Sequence, residues 1–325
     1  MLRQNWGWAA ALACALAYPL VLAGPRDVNV GVLVLLYATL GTAWNILGGY
    51  AGQISFGHAV FFGTGAYVST LVVGAGLSPW IGMLAGALVA ASLAIVIGLP
   101  TFRLAGHYFA IATIVVGEIV ETVVRNTDAL GGARGLMPPI LPSGIANLEF
   151  HETRVPYFYV ALALYAVALI STWLVERRRV GYYLRAIRED EQAARSVGVS
   201  VLRYKLAAAA LSAALAALAG TLYAQYVLFI DPDSVFSLAL SIRIALIPIL
   251  GGAGRSYGPL IGAIVLVPLQ EVTRFQFGGT GQGADLVIYG GLIVLLSVLQ
   301  PGGLAAVVDS LRRVTQRRRP VESMP

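Results

Sequence analysis

The sequence predicts an all-α fold: a polytopic integral membrane bundle of about ten spanning segments (range eight to ten). Three observations predict it. The 325-residue chain is 58% hydrophobic and only 12% charged, whereas a soluble domain carries roughly 25% charged residues to keep its surface in water. Mean hydropathy is +0.78, and several apolar runs reach the ~18–20 residues that cross a hydrocarbon core of ~30 Å. The charge that remains is clustered on one side of those runs.

The apolar segments lie at 6–23, 28–47, 54–75, 80–102, 108–124, 157–175, 206–227, 235–250, 258–273 and 285–300. Met1-Leu2-Arg3 before the first run has the form of a basic signal-peptide start, but the count of sides requires residues 1–23 as a retained first span. With the N-terminus inside and sides alternating, Arg26, Arg125, Arg134, Arg154 and Arg274 fall outside, and Arg243 lies within a segment. The other 16 of the 22 basic residues fall inside, the asymmetry of the positive-inside rule. Both termini are expected to be cytoplasmic. Glycine and polar interruptions near 51–65 and 244–262 predict broken or re-entrant helices, which membranes tolerate only where protein or a water-filled path covers the backbone.

Residues 1–325 read as a single transmembrane domain. An irregular outer loop spans 125–156, with Gly131-Gly132, Pro138-Pro139 and Pro142. A charged inner loop spans 176–205, and a basic tail spans 301–325. The net charge of +6 sits beside apolar spans, where lipid headgroups explain it and nucleic acid does not. A lone cysteine, Cys14, excludes an internal disulfide or a multi-cysteine metal site.

Enzyme chemistry finds little support. His58 and His107 stand alone, and His151 with Glu152 lies in the irregular loop; no set has metal-ligand spacing. Gly254-Arg-Ser-Tyr-Gly258 matches the nucleophile-elbow string but lacks its strand-to-helix setting. No Gly-x4-Gly-Lys-Ser/Thr phosphate loop occurs, and the only lysine is Lys205. The chain is expected to bind no metal, cofactor or nucleotide itself.

Within the inner loop, 185–198 combines strong helix formers with small apolar residues near helical spacing and Gly198 as a stop. Gly181-Tyr-Tyr-Leu-Arg-Ala-Ile-Arg-Glu-Asp-Glu-Gln-Ala-Ala-Arg-Ser-Val-Gly198 resembles the loop of LivM-type branched-chain amino acid permeases. These are the membrane subunits of bacterial ABC importers. Four further stretches resemble the same family in order: Gly49-Tyr-Ala-Gly-Gln-Ile-Ser-Phe-Gly-His58, Leu104-Ala-Gly-His-Tyr-Phe109, Gly131-Gly-Ala-Arg-Gly-Leu136, and Pro248-Ile-Leu-Gly-Gly-Ala-Gly254. The resemblance covers about residues 30 to 300 and implies a fold, a function and a set of partners.

Those partners are a second permease subunit, two ATP-binding subunits that hold the ATP, and a periplasmic or lipid-anchored substrate-binding protein. The location implied is the bacterial inner membrane, and lipid is the surrounding solvent. The inner loop becomes a coupling helix docked on an ATPase. Arg185, Arg188, Glu189, Asp190 and Glu191 supply its polar contacts, Ala193, Ala194 and Val197 pack, and Gly198 ends it. For the translocation path the sequence offers Gln53, Ser55, His58, Tyr108, Thr113, Glu118 and Arg243. Glu118 is a partner for Arg243, since ionisable residues within spans are costly and point to function. Arg243 departs from the family pattern. Related permeases for urea, amides or aromatic acids, and an ion-coupled secondary transporter using Glu118 or Glu121, are the competing readings.

Overall fold

The computed structural model describes residues 16–22, 24–277 and 303–306, with isolated helical positions at 287, 290, 291, 294 and 298. In chain order the elements are α1 (Pro25–Asn45), continued by a π turn over Ile46–Tyr50; α2 (His58–Gly74); α3 (Pro79–Thr101); α4 (His107–Arg125); α5 (Val155–Arg177); α6 (Arg179–Glu189); α7 (Glu191–Ser196); α8 (Val201–Val227); α9 (Pro232–Val235); α10 (Leu238–Gly252); and α11 (Gly258–Phe277). Among the described residues there is no strand, only isolated bridges at Leu136–Ile230 and Gly144–Glu149.

The all-α membrane bundle therefore stands, and the described residues support fewer spans than the expected count of about ten. Among the described residues, 6 helical stretches are long and apolar enough to cross a membrane: 25–50, 79–101, 107–125, 155–177, 201–227 and 232–252. The expected segment 54–75 contains a helix of only 17 residues, because 51–57 is unwound. The segment 258–273 matches α11, whose end carries Gln270, Glu271 and Arg274. The segments 6–23 and 285–300 lie largely outside the described residues.

At the centre, α8 packs against α2 and α3, while α1 joins α5, α10 and α11 around a second cluster. Helices in lipid gain little from hiding apolar surface from one another, so close backbone approach decides who pairs with whom. The alanine-rich α8 supplies that approach. A Cβ on Gly65 would sit 2.1 Å from the Ala217 carbonyl oxygen, and one on Gly220 would sit 2.0 Å from that of Phe62. Only glycine fits at either position. The loops gather at two ends: Gly49, Arg188 and Gly254 meet at one, and Leu136, Ile230, Arg125 and Asp233 meet at the other. That grouping is the one the alternating topology predicts.

Candidate functional site

The end that carries the 176–205 loop is built around three crossings of chain. Asp190 is extended and breaks the expected single helix in two. Its carboxylate accepts from the backbone N–H groups of Gln192 and Ala193 at 2.8 and 2.9 Å, an N-cap that starts α7. Gly198, with φ of +86°, ends the segment as expected. Arg188, near the end of α6, donates to the Gly49 carbonyl at 2.7 Å. Its side chain also lies where a Cβ on Gly52 or Gly254 would stand, at 2.9 and 2.6 Å. Arg188 thus locks α6 between the π turn of α1 and the turn after α10.

That second turn is held independently. The Asn45 amide donates to the Arg255 carbonyl at 3.0 Å, and its oxygen accepts from Gly254 N–H at 2.8 Å. On the other flank Tyr50 donates to Glu176 at 2.6 Å, and Arg185 lies 3.7 Å from the same carboxylate. The start of α8 completes the frame. Lys205 is 1% exposed, and its Nζ lies 2.6 Å from Glu191 Oε2, while Arg195 holds Oε1 at 2.6 Å. Burial alone would push the Glu191 carboxyl up; the hydrogen bond and charge of Lys205, with those of Arg195, outweigh it and hold the group below the usual carboxylate range.

The roles expected within this loop are therefore divided. Glu191 is partly buried and Arg188 is exposed, yet both tie the loop to its own chain. Ala194 is turned inward, packed with Ile187 and Val201, rather than offered to a partner. Arg185, Glu189, Asp190, Ala193 and Val197 are exposed.

The residues expected along the path separate in the same way. Ser55, His58 and Thr113 are buried and hydrogen-bonded inside the chain. His58 sits between Ser55 Oγ at 3.2 Å and Ser212 Oγ at 2.9 Å, and Ser212 donates to the Ala43 carbonyl at 2.5 Å. Thr113 Oγ1 accepts from the Phe56 N–H at 3.0 Å, and the Trp44 indole donates to the Ser55 carbonyl at 2.7 Å. The Thr113 and Trp44 bonds satisfy two backbone groups of the unwound 51–57 stretch, which would be costly to leave unpaired in a hydrocarbon environment. Gln53 is partly exposed, and Tyr108 and Glu118 are exposed on α4. Arg243 does not pair with Glu118: it donates to the Tyr37 hydroxyl at 3.1 Å and, with the Gln270 amide turned, to that oxygen at 3.1 Å.

Residues 28–297 match the family model described as "Branched-chain amino acid transport system / permease component". The chain belongs to this family. The permease is 33% identical over 326 residues to the high-affinity branched-chain amino acid transport system permease protein LivM of Escherichia coli K12. That alignment covers 93% of this chain and 75% of the relative. It is 25% identical to the LivH permease protein of the same system and strain, over 82% of this chain and 90% of LivH. A probable LivM of Methanocaldococcus jannaschii is 24% identical, over 69% of this chain and 68% of the relative. The family is a transport component and not an enzyme.

Three contributors to this end of the permease escaped the sequence reading: Asn45, Glu176 and Lys205. Asn45 lies near the end of the apolar run 28–47, and Glu176 and Lys205 bound the charged loop 176–205; none of them carries a role in that reading. The signal that could have found Lys205 is its singularity. In a chain otherwise using only arginine for positive charge, a lysine one helical turn into a span calls for a carboxylate partner.

Proposed function

We propose that this permease is the membrane-spanning subunit of a bacterial ABC importer for branched-chain amino acids, driven by ATP hydrolysed on two partner subunits. A second permease subunit completes the path, and a periplasmic or lipid-anchored binding protein delivers the solute. The protein resides in the inner membrane with both termini cytoplasmic, and ATP binds only to the partners. The observation that carries this reading is the α6–α7 hairpin. Its inner face is tied through Arg188 to α1 and through Glu191 to α8, while Arg185, Glu189, Gln192 and Ala193 remain exposed.

A partner that pushes on the exposed face moves the ends of several spans together. Arg185, Glu189, Asp190, Ala193 and Val197 form the docking face in this reading, and Arg188, Glu191, Ala194 and Gly198 hold its shape. The exposed Glu118 supports a path or subunit interface along α4, because a carboxylate roughly 10 Å below the helix end is costly against lipid. Tyr108, Glu118, Gln53 and Arg243 are the path residues of this reading.

The test is ATP-dependent uptake of labelled leucine into proteoliposomes holding the full complex, with and without Arg188→Ala plus Glu191→Ala. Uptake that requires the ATPase subunits, and is lost in the double variant while the complex still assembles, supports both assignments. Uptake driven by a proton gradient without any ATPase would overturn the ABC reading. Hydrolysis stimulated by loaded binding protein, without leucine movement, would leave the class and remove the substrate.

A further inference from the structure

At the end opposite the α6–α7 hairpin, a cleft of about 240 Å³ opens between α1, α2, α8 and the α9–α10 segment, lined by Tyr37, Phe62, Tyr223, Asp233, Leu240 and Arg243, with Ser234 and Ser237 among its polar groups. It is smaller than the roughly 300–1,000 Å³ of pockets for drug-sized ligands, so it suits one small solute. Its chemistry is bipolar. Asp233 sits at the mouth, exposed and bridged to Arg125 at the end of α4. Arg243 lies five residues into α10, roughly 8 Å deeper along the helix, partly buried.

Tyr37 and Gln270 both accept from the Arg243 guanidinium, which orients the planar head instead of leaving it to wander. A guanidinium presents a five-donor fork that matches a carboxylate in a two-point contact. Phe62, Tyr223 and Leu240 supply apolar surface to the same cleft.

We infer that this cleft is an entry site for an amino acid zwitterion: Arg243 takes the α-carboxylate, Asp233 faces the α-ammonium, and Phe62, Tyr223 and Leu240 take an apolar side chain. The inference rests on the importer reading and adds to it a place and a selection rule. A solute must carry both charges to be held. The Arg125–Asp233 bridge sets the mouth. With Glu121 on the same guanidinium, it leaves a net negative charge at the entrance, which favours approach of the α-ammonium end of a zwitterion.

The experiment uses the full complex in proteoliposomes with saturating leucine-loaded binding protein, and measures both leucine uptake and ATP hydrolysis. Arg243→Met should lower leucine uptake roughly tenfold or more, the scale for removing one partner of a buried charged contact. Binding-protein-stimulated hydrolysis should stay within about twofold, and Arg243→Lys should recover part of the uptake. Asp233→Asn, at an exposed position, provides a second variant that leaves the packing untouched; it should also lower uptake per ATP. Wild-type uptake per ATP in both Arg243→Met and Asp233→Asn would overturn the inference and leave the importer reading intact. A wild-type complex that moves no amino acid at all would remove the importer reading, and this inference with it.

Discussion

Helices α4 and α8 are both apolar spans, with mean hydropathies of 1.5 and 1.8, yet 22% of one and 61% of the other is buried within the chain. Hydropathy says that each crosses the membrane; it does not say what each one touches. The difference lies in side-chain size. Helix α8 offers alanine, serine and glycine, and neighbouring backbones come to contact distance at Gly65 and Gly220. Helix α4 offers isoleucine, valine and glutamate to its surroundings, and a Cβ on its Gly117 would meet nothing within 4 Å. One helix is the hub of the subunit, and the other turns most of its surface away from the rest of the chain.

The sharpest way to break this comparison is a matched pair of glycine substitutions. Gly220→Leu drives a side chain into the Phe62 carbonyl and should abolish a monodisperse peak on size-exclusion chromatography in detergent. Gly117→Leu, where an added Cβ meets nothing within 4 Å, should cost far less and leave the isolated subunit's monodisperse peak in place. Equal damage from both would mean that α4 is no less packed than α8.

Next in size is Lys205→Met at the start of α8. It removes the Lys205 contact from Glu191, which is partly exposed and still held by Arg195, and should destabilise the α7 region by about 1.5–3 kcal/mol, the scale of a hydrogen bond between charged groups. Hydrogen exchange across 190–200 reads this directly. Because the folded-state pKa of Glu191 is depressed, its contribution is present above the unfolded carboxylate value of roughly 4.3 and is lost as pH falls through the folded one. Protection should therefore hold from neutral pH to about 5 and decline below about 4, whereas Glu191→Gln should show no such decline. A wild-type decline centred near neutral pH would exclude this pair as its cause.

Smaller still is Ser212→Ala on α8, which removes the hydroxyl that donates to Ala43 and meets His58. A loss of about 1–2 kcal/mol in thermal or denaturant unfolding is expected, the scale of a buried neutral hydrogen bond and its unsatisfied remainder. At the C-terminal end of α4, Arg125→Ala should lower the melting midpoint only slightly. Its bridge to Asp233 lies at the exposed surface, where solvent and salt screen it, and the small loss comes from Glu121, whose side chain is 12% exposed.

The contrast also explains what could be read in advance. Apolar run length and the arginine asymmetry located α3, α4 and α5 to within a few residues, since both signals are local. The unwound stretch before α2 was foreshadowed by glycines 49, 52 and 57 among Gln53, Ser55 and His58. What remained hidden was pairing across long separations. Nothing local in His58 tells that its partner is Ser212, and nothing in Arg243 tells that Tyr37 and Gln270 are nearer than Glu118. The break at Asp190 was half legible: an aspartate followed by Glu191 and Gln192 is a helix start, but it sat within a run that also favours one continuous helix.

Lys205 gives the chain a built-in chemical reporter. No other lysine side chain exists in the sequence, and this one is shielded by Glu191 and lies 5.9 Å from the centre of the Phe102 ring. An amine-directed acylating reagent that modifies Lys205 therefore records the moment α7 lifts away from α8. Labelling rates taken with and without ATP would time that movement at a single atom, with no engineered probe and no competing lysine.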